Sequence, residues 1–252
     1  MSEANADDHR IAADVAAATG KLLVELRADL ETHGVASWRL MDEGDMRAHH
    51  FIVKQLTALR PGDAILSEEG RDGPARLSAD RVWVVDPLDG TNEFGQPGRS
   101  DWAVHIALAV RGEPVVGAVA LPALGVVYST GDPPPPPPPL EGRRLRVITS
   151  RSRSSHAAAV VAHSLGADIV TLGSAGAKAM AVVTGEADIY AHSGGQYEWD
   201  NAAPAAVAMS AGLHVSRLDG TALVYNRADP WLPDLLICRK ELAEDVLTAL
   251  WG

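Results

Sequence analysis

Apolar positions along the chain keep one period, then another, then alternate between the two. From Asp7 to Leu30 the residues Ile11, Val15, Ala18, Leu22, Leu26 and Leu30 recur every three to four positions, which predicts an amphipathic packing helix. A second helix is expected over 45–59, burying Phe51, Ile52, Leu56 and Leu59 and ended by Arg60-Pro61-Gly62. Ala64-Ile65-Leu66-Ser67 and Val82-Trp83-Val84-Val85 are rich in β-branched and aromatic residues and read as strands. The runs 102–110, 115–121 and 126–130, joined by Gly/Pro turns, read as an antiparallel meander.

Seven consecutive prolines, Pro133 to Pro139, stop this pattern, because proline neither donates to a ladder nor continues a helix. The run is expected as polyproline II, roughly 22 Å long at about 3.1 Å per residue. It is read as a linker, 133–139, between an N-terminal half, 1–132, and a C-terminal half, 140–252. A stiff surface loop is favoured over a docking peptide for an aromatic-lined groove. Beyond it, strands at 145–149, 169–172 and 187–192 alternate with helices at 154–165, 175–184 and 201–211, the pattern of a layered α/β half. The apolar run through Leu235 and Leu236 and a helix over 241–250 look structural, and Asp219-Gly220 reads as a turn.

Composition narrows the function classes. With 252 residues and 46% hydrophobic content the chain can bury a large core as one globular unit or two packed halves. A net charge of −11 argues against binding a nucleic-acid backbone, although divalent cations would let an acidic protein hold an anionic small molecule. The single cysteine, Cys238, excludes an intramolecular disulfide framework and, lying in an apolar run, is expected to be buried. The first twenty residues carry Glu3, Asp7, Asp8, Arg10 and Asp14 with no apolar core, and no later run reaches membrane-spanning length, so a cytoplasmic protein without membrane partners is expected.

The candidate chemistry begins where the strand at Val82 ends, in Asp86-Pro87-Leu88-Asp89-Gly90-Thr91. A tight Pro-Leu turn would bring Asp86 and Asp89 onto one hard cation, with the Leu88 carbonyl as a further oxygen ligand. Gly90 permits close backbone approach, and Thr91 can start a helix whose free N–H groups face an anion. Asp45 stands where the second helix is expected to begin, either capping it or facing the metal. Glu68-Glu69 follow a short strand, as a solvated loop or as ligands. Gly173-Ser174 precede the helix that carries Lys178. Ser174 is placed to cap that helix, and the small residues let a substrate approach the backbone.

The Asp-Pro-Leu-Asp-Gly-Thr run resembles the signature of the lithium-sensitive, magnesium-dependent phosphomonoesterases, the inositol monophosphatase superfamily, and Trp199-Asp200-Asn201-Ala202 resembles its second signature, Trp-Asp-x-Ala. The resemblance spans roughly Asp14 to Arg239. It implies an αβαβα sandwich with the active site between its halves. It further implies two or three Mg²⁺ ions held by Glu68, Asp86, Asp89, Asp200 and the Leu88 carbonyl, with Glu69 as a neighbouring carboxylate. Asp45 would pair with Thr91 to orient the attacking water. The Gly173-Ser174 turn would meet the leaving group, and Lys178 would partner a second phosphate unless it points to solvent. The family also carries a lysine and a Val-Thr pair in the loop before the Asp45 position, where this chain has Trp38-Arg39-Leu40-Met41-Asp42-Glu43-Gly44; whether Arg39 replaces that lysine stays open.

Glu93-Phe94 after the threonine and Glu198 before Trp199 look more like the 3′(2′),5′-bisphosphate nucleotidase branch, which makes Glu198 a substrate-side candidate. The resemblance therefore implies removal of the 3′-phosphate from adenosine 3′,5′-bisphosphate, a by-product of sulfate assimilation. Inositol 1-phosphate and fructose 1,6-bisphosphate are the next candidates. A non-catalytic metal or nucleotide sensor is the reading from a different class, disfavoured by the intact carboxylate set. The expected partner is a small phosphate ester, and a homodimer stays open.

Overall fold

Asn5 opens the first helix with a reciprocal cap, its side chain accepting from the Asp8 N–H at 3.2 Å while Asp8 Oδ2 accepts from Asn5 N–H at 2.9 Å. The computed structural model describes residues 3–140 and 142–252. Helix α1 runs Ala6–Thr32 and helix α2 runs Ser37–Leu59. The expected start of the second helix at Asp45 is therefore corrected: the stretch read as a loop, Trp38 to Gly44, is helical. Gly44 is what lets α2 pack closely. A Cβ there would stand 2.7 Å from a Phe94 ring carbon and 2.9 Å from Leu88 Cδ2.

The first sheet contains β1 (Ala64–Ser67), β2 (Arg81–Asp89), β3 (Ala103–Val110), β4 (Glu113–Leu121) and β5 (Val126–Ser129), paired in chain order. The expected meander is β3-β4-β5, but the sheet is mixed, since β1 runs parallel to β2. A one-turn helix, α3 (Thr91–Phe94), follows β2. Alternation in β2 serves two cores: Val82 and Val84 face one side of the sheet, Trp83 and Val85 the other.

The second sheet is ordered β7-β6-β8-β10-β9, from β6 (Arg146–Ser150), β7 (Asp168–Leu172), β8 (Ile189–Tyr197), β9 (His214–Ser216) and β10 (Trp231–Cys238). Its helices are α4 (His156–Ser164), α5 (Ala175–Val183), α6 (Glu198–Ser210) and α7 (Ala243–Trp251). Helices α1 and α2 cover the outer face of the first sheet, α5 and α6 lie between the sheets, and α4 and α7 cover the far face, giving the αβαβα sandwich.

The prolines lie between β5 and β6 without helix or strand, and Arg239 Nη2 donates to the Pro138 carbonyl at 2.7 Å. One core nonetheless crosses from half to half, packing Val84, Ala107 and Val119 with Met180, Ala203 and Ile237. Cys238 is buried in β10. Among the described residues no helix is long and apolar enough to cross a membrane.

Candidate metal centre and phosphate cleft

The end of β2 builds the centre. Pairing with β3 slips between Asp86 and Asp89, and Leu88 N–H donates to Asp86 Oδ1 at 3.1 Å, closing the turn that turns both aspartates to one place. Asp200, in the first turn of α6, accepts from Tyr197 N–H at 2.6 Å and so caps its helix while facing the same place. One carboxylate oxygen from each of Asp86, Asp89 and Asp200 lies within 4.8 Å of the others. Glu68 stands at the solvent edge of this group and shares the electrostatic environment of Asp86.

Asp89 is fixed by the helix it faces. Its Oδ1 accepts from Ala175 N–H at 3.1 Å and its Oδ2 from Gly176 N–H at 2.7 Å, both in the first turn of α5. The buried His105 ring stands with Nε2 3.3 Å from Asp89 Oδ2, an ion-pair distance without hydrogen-bond alignment, and its Nδ1 lies 3.1 Å from the Trp199 carbonyl. A protonated ring donates from Nδ1 to the Trp199 carbonyl and sets its positive charge beside Asp89. Burial opposes that charge, but the Asp89 contact outweighs it and lifts the His105 pKa. Burial would likewise raise Asp89, and the charge of His105 instead holds it below the usual carboxylate range.

The remaining acids are pushed the other way. Burial, then the Glu68 charge, raises Asp86 well above its ordinary value. Burial and the charge of Asp200 push Glu68 up to about 7, and burial and the charge of Asp89 push Asp200 up to about 6. Carboxyls that disfavour ionisation together are a set short of positive charge, and all-oxygen donors suit a hard divalent cation. The residues therefore fit a metal of the magnesium type.

Asp45 does not cap α2. It lies inside the helix, where burial and then Glu69 and Glu68 push its pKa up to about 7. The Thr91 hydroxyl sits 3.3 Å from Asp45 Oδ1 and 3.1 Å from the Leu88 carbonyl. Gly90 packs on the facing turn, where a Cβ would come within 2.9 Å of Ser174 Cβ. Ser174 caps α5, accepting from Ala177 N–H at 2.8 Å, and Gly173 N–H donates to Asp101 Oδ2 at 2.6 Å.

A cavity of about 640 Å³ opens over this centre, lined by Glu68, Asp86, Leu88, Asp89, Gly90, Thr91, Gly173, Ser174, Lys178 and Asp200 among others. Lys178 does not point to solvent: it is buried, and its ammonium donates to the carbonyls of Gly173 at 2.5 Å and Ser174 at 2.6 Å. Burial pulls its pKa down to about 8. The expectation for Glu198 is corrected. It is fully buried, lies outside the cavity wall, and its two oxygens accept from Asn226 N–H at 2.7 Å and Arg227 N–H at 2.8 Å. Arg39 is exposed on α2 and is likewise not part of the wall.

Three residues of the site escape a reading from sequence. His105 shows only as a polar residue interrupting the apolar run 102–110, Asp101 shows no signal at all, and Arg153 hides among serines. Arg153 lines the cavity and pairs with no carboxylate among the described residues.

Clustered carboxylates at the ends of two half-structures, opening on a cavity with a paired threonine and aspartate, define a metal-dependent phosphatase. The chain belongs to the inositol monophosphatase family, whose model matches residues 7–133 and 140–252. It is 50% identical over 239 residues to a protein of Mycobacterium bovis named 3′-phosphoadenosine 5′-phosphate phosphatase, covering 92% of this chain and 88% of the relative. It is 33% identical over 198 residues to the Escherichia coli K12 protein named 3′(2′),5′-bisphosphate nucleotidase CysQ, covering 75% and 80%. Among solved structures, CysQ from Bacteroides thetaiotaomicron superposes with a TM-score of 0.80 at 25% identity, over 93% of this chain and 97% of that one.

Proposed function

We propose that this protein removes the 3′-phosphate of adenosine 3′,5′-bisphosphate by Mg²⁺-dependent hydrolysis. The observation that carries the reading is one continuous cavity joining the carboxylate cluster to Arg153. A phosphate seated at the carboxylates leaves an open cation in the same cavity for a second phosphate. The name of the Mycobacterium bovis relative agrees with this substrate. The second phosphate is assigned to Arg153 rather than Lys178, because the Lys178 ammonium is already committed to two backbone carbonyls.

Asp86, Asp89, Asp200, Glu68 and the Leu88 carbonyl would hold two or three Mg²⁺ ions, and the chemistry these supply is neutralisation of phosphate charge and acidification of water. The rest of the work falls to the chain. When Asp45 is ionised, the Thr91 hydroxyl donates to it, and its lone pairs are left to accept a proton from the attacking water. Asp45 then holds the proton that the water gives up. The turns at Gly90-Thr91 and Gly173-Ser174 bracket the ester, the first toward the phosphate and the second toward the leaving group. Lys178 clamps the second turn from beneath. Glu198 anchors the 226–227 loop and so fixes the entry to the helix that carries Asp200. A role downstream of sulfate assimilation, in the cytoplasm, with inhibition by lithium, accords with this reading.

Product analysis tests it. Incubation of adenosine 3′,5′-bisphosphate with the protein and Mg²⁺ is expected to yield adenosine 5′-phosphate and inorganic phosphate; accumulation of the 3′-phosphate isomer would overturn the assignment of the two phosphates.

A further inference from the structure

Beyond the phosphate-binding parts, the cavity wall carries Tyr197, Trp199 and Trp231 as well as the buried Tyr190. Two of them are large apolar groups left in solvent, Tyr197 at 45% and Trp231 at 43% exposure. Scattered exposed rings need no explanation, but two on the wall of one cavity call for one. Tyr197 and Trp231 are register partners across β8 and β10, which puts both side chains on the same face of the sheet. The wall starts beside the metal centre, since Tyr197 N–H donates to Asp200 Oδ2 at 2.6 Å.

Both rings have one face covered. Trp199 stacks on Tyr197 with centroids 4.7 Å apart and planes 9° from parallel. Trp231 lies against Gly195, where a Cβ would come within 2.5 Å of its Nε1; the bare backbone at this position is what lets the indole lie there. The segment leading to Trp231 is also tied down. Asn226 and Arg227 are bound by Glu198, Glu198 N–H donates to the Pro230 carbonyl at 2.8 Å, and Trp231 N–H donates to Asp229 Oδ1 at 3.0 Å. An aromatic ring held on one side and open on the other is a preorganised stacking surface.

We propose that Trp231, supported by Tyr197, is the stacking wall for the purine base, and that it selects nucleotide over base-free phosphate esters. This inference rests on the proposed nucleotide phosphatase reading. A ring stacked on Trp231 has its sugar toward Asp200 and the metal carboxylates, so one molecule spans the base wall and the phosphate centre. Inositol and sugar phosphates have no π-face to place there. Stacking tolerates any base, so purines in general are accommodated, with preference set by ring area.

The test compares wild type with Trp231→Ala and Trp231→Phe in two measurements. The first is steady-state kinetics on adenosine 3′,5′-bisphosphate with Mg²⁺. The second is calorimetric binding of adenosine 5′-phosphate and of ribose 5-phosphate. Trp231→Ala is expected to raise KM for the nucleotide roughly five- to 150-fold and to lower the preference for adenosine 5′-phosphate over ribose 5-phosphate by the same factor. Trp231→Phe is expected to recover most of both. The proposal is overturned if Trp231→Ala leaves KM and the base preference as in wild type, if it weakens both ligands equally, or if Trp231→Phe behaves like Trp231→Ala. Failure of the underlying reading looks different: wild type itself would release no phosphate from the nucleotide.

Discussion

Replacing Asp200 by asparagine separates the cost of the metal centre from its use. In the protein without divalent cation, burial and the neighbouring Asp89 push the Asp200 pKa from 3.8 up to about 6. An acid raised in the folded state contributes stability that is fully present below its unfolded pKa of 3.8 and is lost as pH rises through about 6. At about pH 8 the loss approaches 3 kcal/mol, at roughly 1.4 kcal/mol per unit, an upper bound because Asp86, Asp89 and Glu68 titrate with it. Asparagine carries no charge and keeps an oxygen for the Tyr197 N–H, at a cost of about 1 kcal/mol for the weaker cap. In EDTA the variant is therefore expected to be more stable than wild type by roughly 2 kcal/mol, or about 4–8 °C in Tm for a domain of this size. With Mg²⁺ the order reverses: wild type gains binding energy, and the variant, lacking one ligand, gains far less. Phosphate release should fall by more than the roughly 10–100-fold typical of losing an outer partner of a ligand. Thermal melts at about pH 8 with EDTA and with Mg²⁺, beside a phosphate-release assay, check all three outcomes. A variant that melts below wild type in EDTA, or keeps the full Mg²⁺ shift and turnover, would refute the reasoning.

Three further outcomes follow from the geometry. The Mg²⁺ concentration for half-maximal activity should rise as pH falls through about 7, where protons compete for Glu68; a flat dependence from mildly acid to mildly basic solution contradicts the cluster. Asp45→Asn and Thr91→Ala should each lower kcat about 10²–10⁴-fold with little change in the Mg²⁺ requirement, because they position water, and an equal effect on metal affinity would make Asp45 a ligand instead. Arg153→Ala should reduce kcat/KM roughly ten- to 150-fold for adenosine 3′,5′-bisphosphate and scarcely for inositol 1-phosphate, whereas Lys178→Ala, which frees two carbonyls, should impair both substrates alike; the opposite pattern returns the second phosphate to Lys178.

Much of the fold can be read along the chain because its buried strands are long and apolar and its helices keep their period. The strand at Val82, the meander and the strand-helix alternation after the prolines all appear near their expected places, but β2 continues through Asp89 where a stop at Asp86 is expected, and β8 continues to Tyr197. What cannot be read depends on close approach between distant segments. The extension of α2 back to Ser37 goes unread because the residues Gly44 packs on, Phe94 and Leu88, are far along the chain. Asp45 consequently stays open in the sequence between a cap and a metal-facing carboxylate, whereas it is an interior helical residue paired with Thr91. Asp86, Asp89 and Asp200 are legible as ligand types, since their motifs sit at a strand end and a helix start. Glu198 is not: only the fold shows that the 226–227 loop takes both its oxygens. The rings at 197 and 231 come together through a strand pairing that spans an intervening helix and a β-strand, which no local spacing announces.

Parallel kinetics of the wild-type protein on adenosine 3′,5′-bisphosphate, inositol 1-phosphate and fructose 1,6-bisphosphate, each with Mg²⁺ and with EDTA, tests the central claim most directly. The account predicts the highest kcat/KM on the nucleotide, abolished by EDTA and restored by added Mg²⁺. A higher kcat/KM on inositol 1-phosphate or fructose 1,6-bisphosphate, or turnover of the nucleotide that survives EDTA, would contradict it.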